Sequence, residues 1–282
     1  EDGIWEAKAS NGDHYTGAEV TSEGFQIFGM DPYKYYSAGY ACFLSDIGSQ
    51  QDNWDIWDNS MPVNVSADDI VGYKYFGFGG LAEAQKGLKP FEGTKAGNGT
   101  SLNVFLTPKT DKAFKINVWL DGPWANDAWK GTKIAEINVP AGSAKEVTRF
   151  TVDVADAVDN LDQKHAIYLV AEGEGDLCEL MGLGFSKKGQ KMNYPAPPAV
   201  TIYADGQALE MPATPVRSTN ANGYIGYDNY EVTYPGEAAK ITAKADNKAV
   251  KFEITQPDAE GTATVKCDYN GVVKTYTVKR AE

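Results

Sequence analysis

The stretch "SLNVFLTPKTDKAFKINVWLDG", residues 101 to 122, contains two segments in which apolar side chains recur at every second position. In the second segment Phe114, Ile116, Val118 and Leu120 alternate with polar residues and with Trp119. A period of two is typical of a β-strand with one buried face, because successive side chains point to opposite sides of a sheet. Both segments are therefore predicted to be strands with a core face and an outer face.

Similar segments recur along the first two thirds of the chain. They are rich in β-branched and aromatic residues and are bounded by Gly, Pro, Asn and Asp, which is typical of short strands. They comprise residues 69–78, 133–140, 146–154, 165–173 and 177–185. Only a short helical turn, around residues 155–161, is expected between them. This spacing predicts an all-β sandwich of the jelly-roll type, to which the aromatic-rich residues 1–50 would add opening strands and loops.

The segment "SKKGQKMNYPAPPAV", residues 186–200, has the lysines and prolines of an extended linker. Beyond it, short strand segments are separated by turns such as "PG", "QPD" and "YNG". About 85 residues with this pattern favour a smaller immunoglobulin-like β-sandwich. The predicted organisation is a jelly roll at 1–186, a linker at 187–198 and an immunoglobulin-like domain at 199–282, with a spacer or packing role for the last.

The composition excludes several classes of function. The 282 residues include 26 Lys and Arg against 39 Asp and Glu, giving a net charge of -13. Such a chain is not suited to nucleic acids or anionic membranes, which require basic patches, and no apolar run is long enough to span a membrane. The two histidines leave few candidates for a catalytic base. The sequence starts without Met or a signal peptide, which suggests a piece of a longer protein.

Three cysteines, Cys42, Cys178 and Cys267, are too few for a disulfide scaffold, and none forms a CxxC pair that would indicate zinc. Three buried thiols are favoured over one disulfide with a free thiol, because cysteine is often buried as a small hydrophobic residue. The pairing itself stays open.

Four of the six tryptophans lie in two polar, turn-like stretches, "WDIWDN" (54–59) and "WANDAW" (124–129). A sugar ring is bound by an aromatic face against its C–H groups and by polar side chains at its hydroxyls, and both stretches offer that combination. The alternative is that these tryptophans close the ends of a sandwich core. The candidate carbohydrate-binding residues are Trp54, Trp57, Trp124, Trp129, Asn126, Asp58 and Asn59.

A second candidate surface involves the outer faces of the two opening strands. Phe105 and Trp119 both point away from the predicted core faces, and they would form an aromatic platform if the two strands were neighbours. Cross-strand packing under a loop is an equally good explanation.

Three segments together resemble a family 6 carbohydrate-binding module over residues 67 to 185. They are "ADDIVGYKYFGFGG", the region from "TSLNVFLTPKTDKAFKINVWLDGP" to "GTKIAEINVPAGSAKEVTRFTVDV", and "KHAIYLVAEGEGDLCELMGLGF". The resemblance implies a jelly roll that binds plant polysaccharides, commonly xylan, attached to a glycoside hydrolase, often of family 43. The tail resembles the immunoglobulin-like appendages of such enzymes in Bacteroidota. A secreted, periplasmic or cell-surface location in a Gram-negative bacterium follows from the same resemblance.

The chain departs from the family at the expected ligand positions. The cleft asparagine of the family falls on Glu179, which joins the candidate site, and the aromatic residue of its second cleft loop is absent from "AGSAKEV" (141–147). Trp124 or Trp129 would have to replace that residue. The aspartate that commonly binds a structural calcium falls on Met181, which cannot bind calcium, and the early calcium motif has only an echo in "WEAKAS" (5–10).

The sequence therefore favours a non-catalytic, polysaccharide-binding region of a larger enzyme, with an upstream catalytic domain as its partner. A catalytic alternative would use a pair of carboxylates such as Glu172 and Glu174, although "AEGEGD" reads more simply as a solvated turn. A structural or protein-binding sandwich is the other alternative. A structural calcium is the one metal considered, and the loss of its usual ligand at Met181 counts against it; no other cofactor is expected, and the glycan itself is not specified.

Overall fold

The protein consists of two compact units. The structure is a computed structural model that describes residues 6–8, 14–16, 29–45, 56–57, 61–80, 91–125, 130–212, 215–219, 225–237 and 240–281. The first unit comprises Glu1–Gln51 and Ser60–Tyr194, and the second comprises Asp52–Asn59 and Pro195–Glu282. The chain thus enters the second unit twice, and the first entry is the segment 52–59.

In the described residues of the first unit, the regular secondary structure consists mostly of strands. A helix of one turn, α1 (Ala155–Val158), lies where the sequence predicts it, and a 3-10 turn spans Ala38–Tyr40. Its strands are β1 Glu6–Lys8, β2 His14–Thr16, β3 Tyr36–Ser37, β4 Phe43–Leu44, β5 Val63–Ser66, β6 Ile70–Gly77, β7 Ser101–Pro108, β8 Phe114–Pro123, β9 Lys130–Val139, β10 Thr148–Asp153, β11 Lys164–Glu172 and β12 Asp176–Ser186.

Two five-stranded antiparallel sheets form the body of this unit. Sheet I has the order β10-β7-β12-β3, with β5 also paired to β12, and sheet II has the order β4-β6-β11-β8-β9. Strands β1 and β2 pair with each other. Buried side chains from both sheets form one hydrophobic cluster between them. The predicted all-β sandwich is therefore confirmed.

The alternation in β7 and β8 sets the two core faces. Phe114, Ile116 and Val118 of β8 are all buried, as are Val104 and Leu106 of β7. Burial of one such side chain stabilises a fold by about 1.5–3 kcal/mol, so this alternation fixes which face of each strand turns inward. The polar residues of β8 and Trp119 are left on the outer face of sheet II.

The predicted platform of Phe105 and Trp119 is wrong. Strand β7 belongs to sheet I and β8 to sheet II, so the two rings point outward from different sheets. Phe105 is 1% exposed. It is covered by the rings of Tyr35 and Tyr194, whose centroids lie 5.5 and 5.9 Å away. Phe105 therefore stabilises the fold and has no open face for a ligand.

Residues 187–194, the first part of the predicted linker, lie against sheet I. Tyr194 packs on Phe105, and Arg149 Nη1 donates a hydrogen bond of 2.7 Å to the Met192 carbonyl. The division between the two units falls at Tyr194 and Pro195. The segment is thus anchored up to the point where the prolines begin.

The second unit also contains two sheets. Its strands are β13 Val200–Ala204, β14 Gln207–Ala208, β15 Val216–Thr219, β16 Ile225–Tyr234, β17 Ile241–Ala245, β18 Lys251–Thr255, β19 Thr262–Tyr269 and β20 Val272–Arg280. One sheet has the order β14-β13-β17 and the other β15-β16-β20-β19-β18, in which β16 and β20 run parallel. Ile202 and Ile241 from the first sheet and Val232 and Val265 from the second are buried in one cluster. The immunoglobulin-like class of this unit stays a prediction.

All three cysteines are free thiols. Burial raises the pKa of both Cys178 and Cys267 to about 12. Cys42 is exposed, so the expectation that all three are buried is wrong for that residue. Within the described ranges no helix has the length and apolar character needed to cross a membrane.

Candidate functional site

The outer face of sheet II carries a group of aromatic side chains, here called the aromatic face: Phe43, Trp119, Trp124 and Tyr168. Trp119 of β8 and Tyr168 of β11 are directly opposite each other in the ladder. Tyr168 is buried, whereas both tryptophans are partly exposed. Tyr168 therefore forms the floor of this face, and the two indoles form its accessible part.

Three of these rings pack edge to face. The Trp124 ring lies 5.1 Å from that of Tyr168 and 5.2 Å from that of Phe43, at interplanar angles of 81° and 79°. Phe43 and Tyr168 are 6.2 Å apart at 68°. Such pairs are favourable because the positive edge of one ring meets the negative face of the other, by about 0.5–1.5 kcal/mol each. The cluster holds Trp124 in place although it lies at the end of a strand.

A glycine makes room for the tyrosine floor. Gly72 of β6 is opposite Tyr168 on one side and Phe43 of β4 on the other. A Cβ at this position would lie 2.4 Å from Tyr168 Cε1 and 3.1 Å from Phe43 Cβ. The ring of Tyr168 therefore lies over β6 at Gly72, where any side chain larger than a hydrogen atom would clash with it.

We expect Gly72→Ala to destabilise the first unit by about 1–3 kcal/mol, the usual cost of an overpacked site. The added methyl group would displace the Tyr168 ring and, through it, Trp124. The measurement is chemical denaturation of the variant beside the wild-type protein.

The matched control is the double variant Gly72→Ala/Tyr168→Ala. Removal of the ring relieves the clash, so the alanine at 72 should cost much less in that background than in the wild type. Equal costs in both backgrounds would contradict this role of Gly72.

Polar side chains continue the aromatic face along β8. Asn117, two residues before Trp119 and on the same face, is 8% exposed. Its Nδ2 donates a hydrogen bond of 2.9 Å to Glu172 Oε2 on β11. Its Oδ1 is enclosed and has no hydrogen-bond partner in the described part of the chain. A buried acceptor of this kind requires a donor, which water or a ligand hydroxyl can supply.

A small ion network borders the same face on β9. Lys133 is opposite Trp119 in the ladder, and Glu136 accepts from both Lys133 and Lys115 at 3.0 Å. These hydrogen bonds lower the pKa of Glu136 below its ordinary value. The network holds the edge of the face in one arrangement and keeps its carboxylate ionised.

The face leads into a cavity at the start of β8. The cavity has a volume of about 620 Å³, and Phe114, Lys115, Asn138 and Glu172 are among the residues that line it. Lys115 precedes Trp119 by four residues, or roughly 13 Å along a strand. Glu172, which lines the cavity, also bonds to the amide of Asn117, so the cavity borders the strand that carries the indole.

Trp57 is not part of this surface, and its prediction as a sugar-stacking residue is wrong. It is 5% exposed and belongs to the hydrophobic cluster of the second unit. Its Nε1 donates to the Val272 carbonyl at 3.0 Å, and the Lys274 Nζ lies 4.1 Å from its ring centroid. The ring of Tyr269 packs beside it at 5.7 Å. This indole is therefore packed inside the unit and has no surface left for a sugar.

Trp124 is the one loop tryptophan that the structure places on a partly exposed surface among the residues it describes. The other predicted loop residues lie outside the described ranges. They are Trp54, Asp58, Asn59, Asn126 and Trp129.

Glu179 is placed apart from the tryptophans. It extends from the outer side of β12 in sheet I, opposite Thr107 and Asn64, and pairs with Lys109 at 3.1 Å. Trp124 follows β8 of sheet II, so the structure does not bring these two residues to one face.

The position expected for a structural calcium does not fit that ion. Met181 is 6% exposed, and its backbone carbonyl accepts a hydrogen bond of 2.9 Å from Tyr35. A thioether is not a ligand for Ca²⁺, which requires several oxygen atoms. Among the described residues no group of three or more His, Cys, Asp or Glu side chains could hold a metal.

The carboxylates considered for catalysis are occupied by structural partners. Lys112 hydrogen-bonds Glu174 at 2.6 Å on the exposed surface and lowers the pKa of that carboxyl below its ordinary value. A general acid requires the opposite shift. Glu172 accepts from Asn117. Both carboxylates of this pair are thus engaged by neighbouring side chains.

Sequence reasoning placed Asn117 on the same face as Trp119, but it missed Tyr168 beside Trp119 and Phe43 beside Trp124. The alternation in "HAIYLVAEG" does place Tyr168 on the opposite face from Ile167 and Leu169, so one signal was present. The contact with Phe43 depends on the order of strands in sheet II, and a single sequence does not reveal that order.

No protein-family model and no curated protein matches this sequence. Several solved structures are similar to it. One is an arabinoxylan arabinofuranohydrolase of glycoside hydrolase family 43 from Bacillus subtilis, in complex with cellotetraose, with 18% identity and a TM-score of 0.40. The similarity covers 65% of this chain and 33% of that enzyme, so the chain matches only about a third of its length.

Two isolated carbohydrate-binding modules are also similar. A family 6 module shares 16% identity with a TM-score of 0.39, over 58% of this chain and 100% of the module. A family 36 module in complex with calcium and xylotriose shares 13% identity with a TM-score of 0.33, over 54% of this chain and 99% of the module. At these levels of similarity, none of the three assigns a ligand or an activity to this chain.

Proposed function

We propose that this chain is a non-catalytic module that binds a neutral plant polysaccharide of the hemicellulose class, such as xylan, on the outer face of sheet II. The observation that carries the proposal is the partly exposed Trp119 beside the Asn117–Glu172 hydrogen bond, on a face that continues into an open cavity.

The chemistry of the aromatic face suits a sugar chain. The indole of Trp119 offers an apolar surface for pyranose C–H groups, and the ring of Tyr168 is its direct cross-strand neighbour. The carboxylates of Glu172 and Glu136, the first of them held by the Asn117 amide, offer acceptors for hydroxyl groups. A few placed polar groups around an aromatic surface are the usual composition of a small-molecule site.

We also propose that the chain is one region of a larger protein. In line with the sequence resemblance, the chain is a region of a larger extracellular glycoside hydrolase, and the second unit serves as an immunoglobulin-like appendage. Trp124 supports the aromatic face from its edge. Asn126 and Trp129, which follow β8 in the chain, stay predictions as further contacts. Trp54, Asp58 and Asn59 belong to the second unit and stay predictions apart from this face.

Affinity electrophoresis tests the function. We expect the protein to migrate more slowly in a native gel that contains arabinoxylan than in a plain gel, and to release no reducing sugar from the same polysaccharide. Serum albumin in both gels controls for viscosity. Unchanged migration with arabinoxylan, β-glucan and mannan would contradict the proposal, and release of reducing ends would favour the catalytic alternative.

A structural or protein-binding role is the second candidate. It is supported by Trp57, a loop tryptophan that the structure uses as a core residue of the second unit. If migration is unchanged in all gels, this role becomes the better explanation.

A further inference from the structure

A second cavity lies on the outer face of sheet I. It has a volume of about 470 Å³ and is bordered by β7, β10, the end of β12 and the segment 187–191. None of its lining residues belongs to the aromatic face, which is on sheet II. It is therefore a separate feature of the first unit, here called the basic groove.

The basic groove has the opposite charge to the rest of the protein. Arg149, Lys187, Lys188 and Lys191 line it, and among the described lining residues only Asp153 is acidic. Lys187 is paired with Glu92 at 2.9 Å, which leaves an excess of positive charge from the other three. In a chain with a net charge of -13, this concentration of cations on one surface marks a local attraction for anions.

The floor of the groove is polar and fixed. Asn103 is 1% exposed. Its Oδ1 accepts from Thr151 Oγ1 at 3.0 Å, and its Nδ2 donates to Ser186 Oγ at 3.0 Å. A buried amide with both ends satisfied holds its neighbours in place. The hydroxyl groups of Thr151 and Ser186 are thus held in fixed positions at the floor of the groove.

The guanidinium of Arg149 is held at the side of this floor. Nη1 donates to the Met192 carbonyl at 2.7 Å, which ties the side chain to the segment that borders the groove. A guanidinium carries five N–H donors in a planar fork that matches a carboxylate. An arginine held in this way loses less side-chain entropy when it binds an anion.

We infer that the basic groove binds a sugar that carries a carboxylate, a hexuronate unit of an acidic polysaccharide. Arg149, Lys188 and Lys191 supply the positive charge for the carboxylate, and the hydroxyl groups of Thr151 and Ser186 meet the sugar hydroxyls. The strong negative charge of the whole chain opposes longer polyanions such as nucleic acids. The inference depends on the proposed function for the glycan nature of the ligand, but it concerns a different surface.

Calorimetric titration with two matched ligands tests this site. One is a xylo-oligosaccharide substituted with glucuronic acid, and the other is the same backbone without the acid. We expect the wild-type protein to bind the acidic ligand more tightly, and we expect 0.5 M NaCl to remove that difference, because salt screens exposed charges.

Two variants locate the effect. Lys188→Gln/Lys191→Gln changes only exposed side chains and should lower affinity for the acidic ligand at least fivefold without affecting the neutral ligand. Arg149→Gln should have a larger effect in the same direction. Trp119→Ala is the control for the other surface and should weaken the neutral ligand.

The outcomes separate the two proposals. Equal affinity of the wild-type protein for both ligands, or an acidic preference that survives in the double lysine variant, would overturn the basic groove as a uronate site. Loss of neutral binding in every sample would instead count against the proposed function. If the protein bound free glucuronate but not glucose, and the double lysine variant lost that binding, the result would support the basic groove as a uronate site independently of the aromatic face.

Discussion

We expect the Trp57→Ala variant to lose about 3–5 kcal/mol of unfolding free energy in the second unit, the usual cost of truncating a large buried aromatic residue. Trp57 is 5% exposed in the cluster of that unit. The change removes the hydrogen bond to the Val272 carbonyl, the contact with Tyr269 and the cation–π contact with Lys274. Lys274 is itself 3% exposed, so its ammonium group would lose an aromatic neighbour within the protein.

Hydrogen exchange followed by mass spectrometry measures this effect, because a protein of two units need not unfold in a single step. Peptides from β19 and β20 should lose protection, whereas peptides from β7 and β8 should keep it. Trp57→Phe is the milder comparison and should retain much of the packing. Unchanged protection of β19 and β20 in Trp57→Ala would show that the indole is not a core residue.

The position of Trp57 could not be predicted from the sequence around it. Trp57 and Trp124 have similar neighbours in the sequence, with aspartate and asparagine close by. Trp124 lies on a partly exposed sheet face, and Trp57 bonds to a carbonyl 215 positions further along the chain. Local composition is the same for both, and only the long-range partner distinguishes a core tryptophan from a surface one.

Strand alternation was more informative than loop composition. The pattern of Phe114, Ile116 and Val118 predicted the inner face of β8, and these three residues are buried. The same pattern left Phe105 and Trp119 on outer faces but did not reveal that β7 and β8 belong to different sheets. Strand order depends on pairings between distant segments, so the periodicity of one strand carries no information about its neighbours.

The second large effect concerns the aromatic face. We expect Trp119→Ala to weaken binding of a neutral xylo-oligosaccharide by about 1–3 kcal/mol, roughly 5- to 150-fold, because the stacking surface for the sugar is lost. Because Trp119 is only partly buried, the first unit should keep its fold. Circular dichroism and thermal melting would check that the variant remains folded.

Asn117 provides a polar counterpart to this test. Replacing Asn117 with alanine would remove the hydrogen bond to Glu172 and the enclosed acceptor next to the indole. If the aromatic face is the site, this change should weaken the same ligand, whereas Trp57→Phe in the second unit should not. If Trp57→Phe weakened binding and Trp119→Ala did not, the binding site would lie on the second unit and not on the aromatic face.

Isothermal titration calorimetry of the wild-type, Trp119→Ala and Trp57→Phe proteins with xylohexaose tests the central claim most directly. We expect measurable heat for the wild type, the same affinity for Trp57→Phe, and an affinity lower by about 5- to 150-fold for a folded Trp119→Ala. Wild-type affinity in Trp119→Ala would contradict it, because the outer face of sheet II would then not be the binding surface.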